Sequence, residues 1–150
     1  MLGQGGVAPQ EHVELTISTE KGIYMGDESI TLHLHLKNAG AEALEIEEHN
    51  LLYDFDLDIR NGSSKKIISK TEEMAENSGG RLKYKREGTF ARLLELKPGE
   101  EWSRSLNLSG HFFLTPGDTY SITARRKTER VGGDRLQDFV SNTIHVTVLP

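Results

Sequence analysis

The sequence predicts an all-β chain: an immunoglobulin-like antiparallel β-sandwich of about 8–9 strands. Three observations lead there. Apolar residues recur with a period of two along most of the 150 residues, which is the signature of strands with one buried face. Turn-forming pairs separate the alternating runs. The length fits one domain and is enough to bury a core without disulfides or metals.

The elements follow in order. Met1 to Gln10 is small and polar and reads as a flexible lead-in, leaving 11–150 as a single sandwich domain. Val13, Leu15 and Ile17 alternate with Glu14 and Thr16, and Ile30, Leu32, Leu34 and Leu36 with Thr31, His33, His35 and Lys37. Leu44 and Ile46 alternate with Glu45 and Glu47. Tyr53, Phe55, Leu57 and Ile59 alternate with Asp54, Asp56, Asp58 and Arg60. Trp102, Leu106 and Leu108 share one parity, as do Tyr120, Ile122 and Ala124, and Ile144, Val146 and Val148. Two sheets packed face to face require this division of apolar and polar faces. Gly26-Asp27-Glu28, Asn38-Ala39-Gly40, Asn61-Gly62, Pro98-Gly99-Glu100 and Pro116-Gly117-Asp118 fall between the runs as turns. The stretch 69–88 breaks the alternation, and a connection of that length is commonly functional or disordered.

Composition excludes several functions. With no cysteine, the chain has no disulfide, thiolate metal site or cysteine nucleophile. A net charge of −5 argues against general attraction to nucleic acid or anionic membrane. No apolar run approaches the ~20 residues that span a bilayer. The sequence contains no nucleophile elbow, phosphate-binding loop or zinc-protease helix motif. No catalytic residue, cofactor site or metal site is assigned.

Four groups of residues have the chemistry to bind a ligand or partner. Asp54, Asp56 and Asp58 supply the oxygen ligands Ca²⁺ prefers. Strand neighbours at this spacing stand about 7 Å apart, so a solvated face with Lys or Arg partners is the reading adopted. His33 and His35 share a strand face and would need a third ligand for zinc, from His12, His49 or His145; exposed histidines on a polar face explain them as well. Lys83, Tyr84, Lys85 and Arg86 form a basic, aromatic-containing stretch and are the candidate contact with a protein partner. Arg125, Arg126, Lys127 and Arg130 form a second basic stretch, readable also as edge protection.

Three single positions carry further expectations. Trp102 is placed in the core. One of the adjacent Phe112 and Phe113 must face outward. Tyr120, entering a late strand, fits the tyrosine corner of such sandwiches, in which the hydroxyl bonds back to the chain.

The run from Tyr53 to Gly62, followed by Thr89-Phe90, Leu96-Lys97-Pro98-Gly99-Glu100 and Pro116-Gly117 with Tyr120, resembles the bacterial intracellular proteinase inhibitor-like domains. The second half, Leu96 to Val148, also looks like non-catalytic β-sandwich domains of bacterial surface and secreted proteins. The resemblance implies two roles. One is a non-catalytic interaction or structural module with a protein partner, in an exported or cell-envelope protein. The alternative is a proteinase inhibitor acting through the segment 69–88.

Overall fold

A computed structural model describes residues 13–72, 92–131 and 135–150. The lead-in at 1–10 and the partner-contact candidates Lys83, Tyr84, Lys85 and Arg86 lie outside these residues. The fold is the immunoglobulin-like β-sandwich that the alternation implies. Among the described residues ten strands appear, one or two more than expected, because two are only two residues long. They are β1 (Val13–Ser18), β2 (Ile23–Tyr24), β3 (Thr31–Asn38), β4 (Leu44–Glu48), β5 (Phe55–Arg60), β6 (Lys66–Ile67), β7 (Arg92–Leu96), β8 (Glu101–Asn107), β9 (Asp118–Val131) and β10 (Arg135–Val148). Among the described residues two complete helical turns, α1 (Leu51–Asp54) and α2 (Leu108–His111), interrupt them, and Lys70, Thr71 and Glu72 are also helical.

The first sheet has the order β1-β3-β8. The second runs β2-β10-β9-β4-β7, with β5 also on β9 and β6 on β5. Pairing is antiparallel except between β2 and β10. Leu32, Leu34 and Leu36 from β3 meet Phe55, Leu57 and Ile59 from β5 and Tyr120, Ile122 and Ala124 from β9 in one buried cluster. Each fully buried aliphatic or aromatic side chain contributes about 1.5–3 kcal/mol, so this cluster is the main source of stability.

The turns work as their residues demand. Gly99 (φ 86°) and Gly117 (φ 94°) adopt the left-handed conformation that only glycine enters without strain. Tyr120 takes the corner position. Its hydroxyl accepts from Thr115 N–H (2.5 Å) and donates to the Thr115 carbonyl (3.3 Å). Trp102 and Phe112 are buried while Phe113 faces out beneath Lys70, whose ammonium lies 4.6 Å from the ring centre. Asn38 occupies an inward position on β3 and is fully buried. Its amide donates to the carbonyls of Glu42 and Leu96, both at 2.8 Å, and its oxygen accepts from Gly40 N–H at 2.9 Å. A buried amide satisfied this way costs little.

β4 and β5 are two halves of one strand position. Both pair with β9, Leu44 opposite Val131 and Phe55 opposite Arg126. From Leu44 to Phe55 the chain advances further than β9 does from Arg126 to Val131, so residues are looped out between the halves. α1 is that loop. It begins where Asn50 accepts a hydrogen bond from Tyr53 N–H, and Phe55, extended at φ −118°, ends it. β6 flanks β5 and β7 flanks β4, so the outer rim beside this broken strand is itself built in two pieces.

Candidate interaction surfaces

The break in the strand gathers most of the unusual side chains. Arg126 holds an inward position on β9, following Tyr120, Ile122 and Ala124, and is 1 % exposed. Its Nη2 donates to the carbonyl of Glu47. That carbonyl belongs to the strand half that ends just before the loop. The Arg126 guanidinium lies over Phe55 (5.0 Å), Phe55 stacks on Trp102 (5.9 Å, interplanar 24°), and the Arg104 guanidinium lies over Trp102 (4.9 Å). Four side chains thus form a cation–aromatic–aromatic–cation stack crossing from one sheet to the other, and such contacts strengthen when desolvated. Arg104 Nε and Nη2 also donate to Glu48 (2.7 and 3.2 Å), tying β8 to β4 across the sandwich margin. A two-pronged arginine–carboxylate pair is the stronger kind of ion pair.

His49 and Asp54 close the loop. Asp54 accepts from the His49 backbone N–H (2.8 Å) and faces its Nδ1 (2.9 Å). The His49 side chain is 6 % exposed, and Nε2 has Glu47 Oε1 at 3.9 Å. Among the described residues no hydrogen-bond partner reaches Nε2. The dyad orients an imidazole, but it is walled in by Tyr53, whose ring meets it edge-on at 4.9 Å. What it does chemically is hold the loop's two ends together.

Two sequence expectations change here. Asp54 does not share a strand face with Asp56 and Asp58, because it belongs to α1 and is buried. The other two behave as a solvated face: Asp56 stands opposite Arg125 with Lys66 at 3.9 Å, and Asp58 pairs with Arg60 at 3.0 Å. The second basic stretch is not one surface, since Arg125 is exposed and Arg126 buried; the side chains of Lys127 and Arg130 lie outside the described part.

His33 and His35 lie on the outer face of the first sheet, as expected. His33 Nδ1 meets Ser105 Oγ at 2.9 Å, and His35 Nε2 meets Glu101. A shallow open concavity of about 560 Å³ runs along this face between Thr16 and Ser105. The proposed third ligands lie elsewhere. His49 is in the buried dyad, His145 pairs opposite Ser121 in the second sheet, and His12 lies outside the described residues. Among the described residues no three His, Asp or Glu side chains converge in a way that could hold a metal ion.

The outer face of β4 and β7 is different in kind. Glu45 stands directly opposite Glu95, and Glu47 opposite Leu93. All four are exposed, and Leu93 is 65 % accessible.

The stack and its ion pair were legible only as parity. Arg126, Arg104 and Glu48 each continue an apolar alternation with a charged residue. That alternation is the signal that places their stems in the sandwich.

These features define a class: an immunoglobulin-like β-sandwich whose described charged side chains brace strands and loops, and whose distinctive exposed features are sheet faces and edges. Within that class the chain belongs to the family of the flagellar collar protein C, N-terminal domain, whose model matches residues 17–149. The family description names no catalytic activity. No curated protein sequence matches the chain. Among solved structures it is similar to the sporulation control protein Spo0M of Bacillus subtilis, with 15 % identity and a TM-score of 0.48. That match covers 92 % of this chain and 49 % of that one, so this chain spans about half of Spo0M's length. It is also similar to a CARDB domain from Pyrococcus furiosus, solved in complex with di-metal ions. Here the identity is 15 % and the TM-score 0.45, with 95 % of this chain and 97 % of that one covered. No helix among the described residues is long and apolar enough to cross a membrane.

Proposed function

We propose that this chain is a non-catalytic assembly module of the flagellar collar, working at the cell envelope by binding other proteins of the motor. The family match across 17–149 carries this reading. The chemistry of the described residues supports it. Asp54, Arg104, Arg126 and Glu48 are engaged in bracing the sandwich. The buried His49–Asp54 dyad has no nucleophile beside it among the described contacts. The proteinase-inhibitor alternative rests on the segment 69–88, most of which lies outside the described residues, and no observation favours it.

The test is electron cryotomography of flagellar motors in cells whose collar protein lacks this domain. Density is expected to disappear from the collar while the rotor and rod remain. A collar of unchanged shape and occupancy would refute the assignment.

A further inference from the structure

We propose that the edge of β7, terminal in its sheet among the described residues, and the outer face of β4–β7 dock an extended, lysine- or arginine-rich segment of a partner protein, which adds to the sheet as a strand beside β7. This inference rests on the assembly reading and names the surface and the partner chemistry.

A sheet edge is a template for further pairing, and proteins normally blunt it. Among the described residues β7 and β8 are the longer terminal strands without a side-chain staple, and charge distinguishes β7. β1 is stapled by Asn142, whose carboxamide oxygen accepts from Ile17 N–H (2.8 Å) and whose nitrogen donates to the Ile17 carbonyl (3.1 Å). At β8, Arg104 Nη1 folds back onto the Ser103 carbonyl (2.7 Å). β2 and β6 are two residues long. β7 is five residues long and ends its sheet, with no comparable cover among the described residues.

The side chains say what would lie there. Lysine is the usual guard of an edge, yet β7 and its neighbour present Glu45, Glu47 and Glu95 around an exposed leucine. Like charges directly opposite each other, as Glu45 and Glu95 are, destabilise a strand pair. The only ion-pair partner of these three carboxylates among the described residues is His49, 3.9 Å from Glu47. A strand of basic residues relieves that repulsion. An apolar side chain among them covers Leu93, while main-chain hydrogen bonds supply affinity, as in other strand additions.

The probe is an alternating lysine–valine octapeptide, with its glutamate–valine counterpart as control. Both are titrated into the ¹⁵N-labelled chain and followed by amide shifts and hydrogen exchange. The lysine peptide should perturb and protect amides of residues 92–96, with smaller changes in 44–48, and weaken as salt is raised. Glu45→Gln with Glu95→Gln should weaken it about tenfold. Because this pair of substitutions removes a repulsion, the folded chain should melt no lower than the parent. Equal binding of both peptides, perturbation centred elsewhere, no binding by either, or dimerisation of the chain alone through β7 would each overturn the proposal. In cells, Glu45→Lys with Leu93→Asp and Glu95→Lys should displace the chain from the collar. Normal incorporation of that variant sinks the docking proposal and leaves the collar assignment standing. Peptide binding at β7, with a collar indifferent to loss of the domain, does the reverse.

Discussion

Arg126 sits where the alternation of β9 calls for an apolar residue, and the broken strand explains why. At that break the guanidinium donates to the carbonyl of Glu47, near the end of β4. Burying a charge costs several kcal/mol. Here the Phe55 face and a charge-assisted hydrogen bond offset that cost. Arg126→Ala should therefore lose about 3 kcal/mol, from a cavity beside Phe55 together with the lost hydrogen bond to Glu47. Arg126→Met keeps the stem over Phe55 and should lose about 1–2 kcal/mol for that lost hydrogen bond. Urea denaturation midpoints decide. A methionine variant as stable as the parent would mean that the Glu47 contact contributes nothing and that Arg126 is only a space filler. At the same scale, the Glu28 carboxyl accepts from Lys21 and from the Met25 N–H, and both hold its pKa below the usual glutamate range. Its contribution to the β2–β3 turn is thus present at neutral pH and is lost as pH falls through that depressed value.

Among elements, the strands were legible and their assembly was not. Period-two alternation marks β1, β3, β8, β9 and β10 because each has one face in the core. The Pro-Gly pairs mark turns because only glycine enters the positive φ they need. In sequence Asp54 continues the parity of Asp56 and Asp58, because a helical turn of four residues is too short to show a period of its own. What overrides the parity is local: Asn50 caps the turn and Asp54 binds His49. Asn50→Ala should cost about 1 kcal/mol. A thermal melt reads the loss, and faster exchange of the Tyr53 amide should accompany it. A variant with unchanged melting temperature and unchanged Tyr53 exchange would show that the loop is held by the His49–Asp54 dyad alone. The β4–β7 surface was unreadable for a different reason. Glu45 and Glu95 are far apart in the chain, and nothing in either local pattern says that they face each other. The basic stretches attracted notice because their charges are contiguous, whereas this acidic face is assembled by topology.

For the molecule as a whole, one side of the sandwich is closed by a side chain rather than by a strand. β10 bulges between Val140 and Thr143. In the bulge, Ser141 Oγ accepts from Ala124 N–H (2.8 Å), and Asn142 reaches across to Ile17. The carboxamide stands in for a strand, joining residues near the two ends of the described chain. With that side stapled, the proposed strand addition falls at the far end of the second sheet, where β7 is terminal among the described residues. Folding kinetics should report the same closure. Contacts across so long a stretch of chain cost the most loop entropy and form late. Asn142→Ala leaves the Ile17 N–H and carbonyl unpaired, at a cost of about 2 kcal/mol. If closure follows the transition state, that loss falls on unfolding alone. The unfolding rate rises about thirtyfold and the refolding rate stays unchanged in a stopped-flow chevron. A refolding rate that falls by the same factor would put the β1–β10 staple inside the folding nucleus.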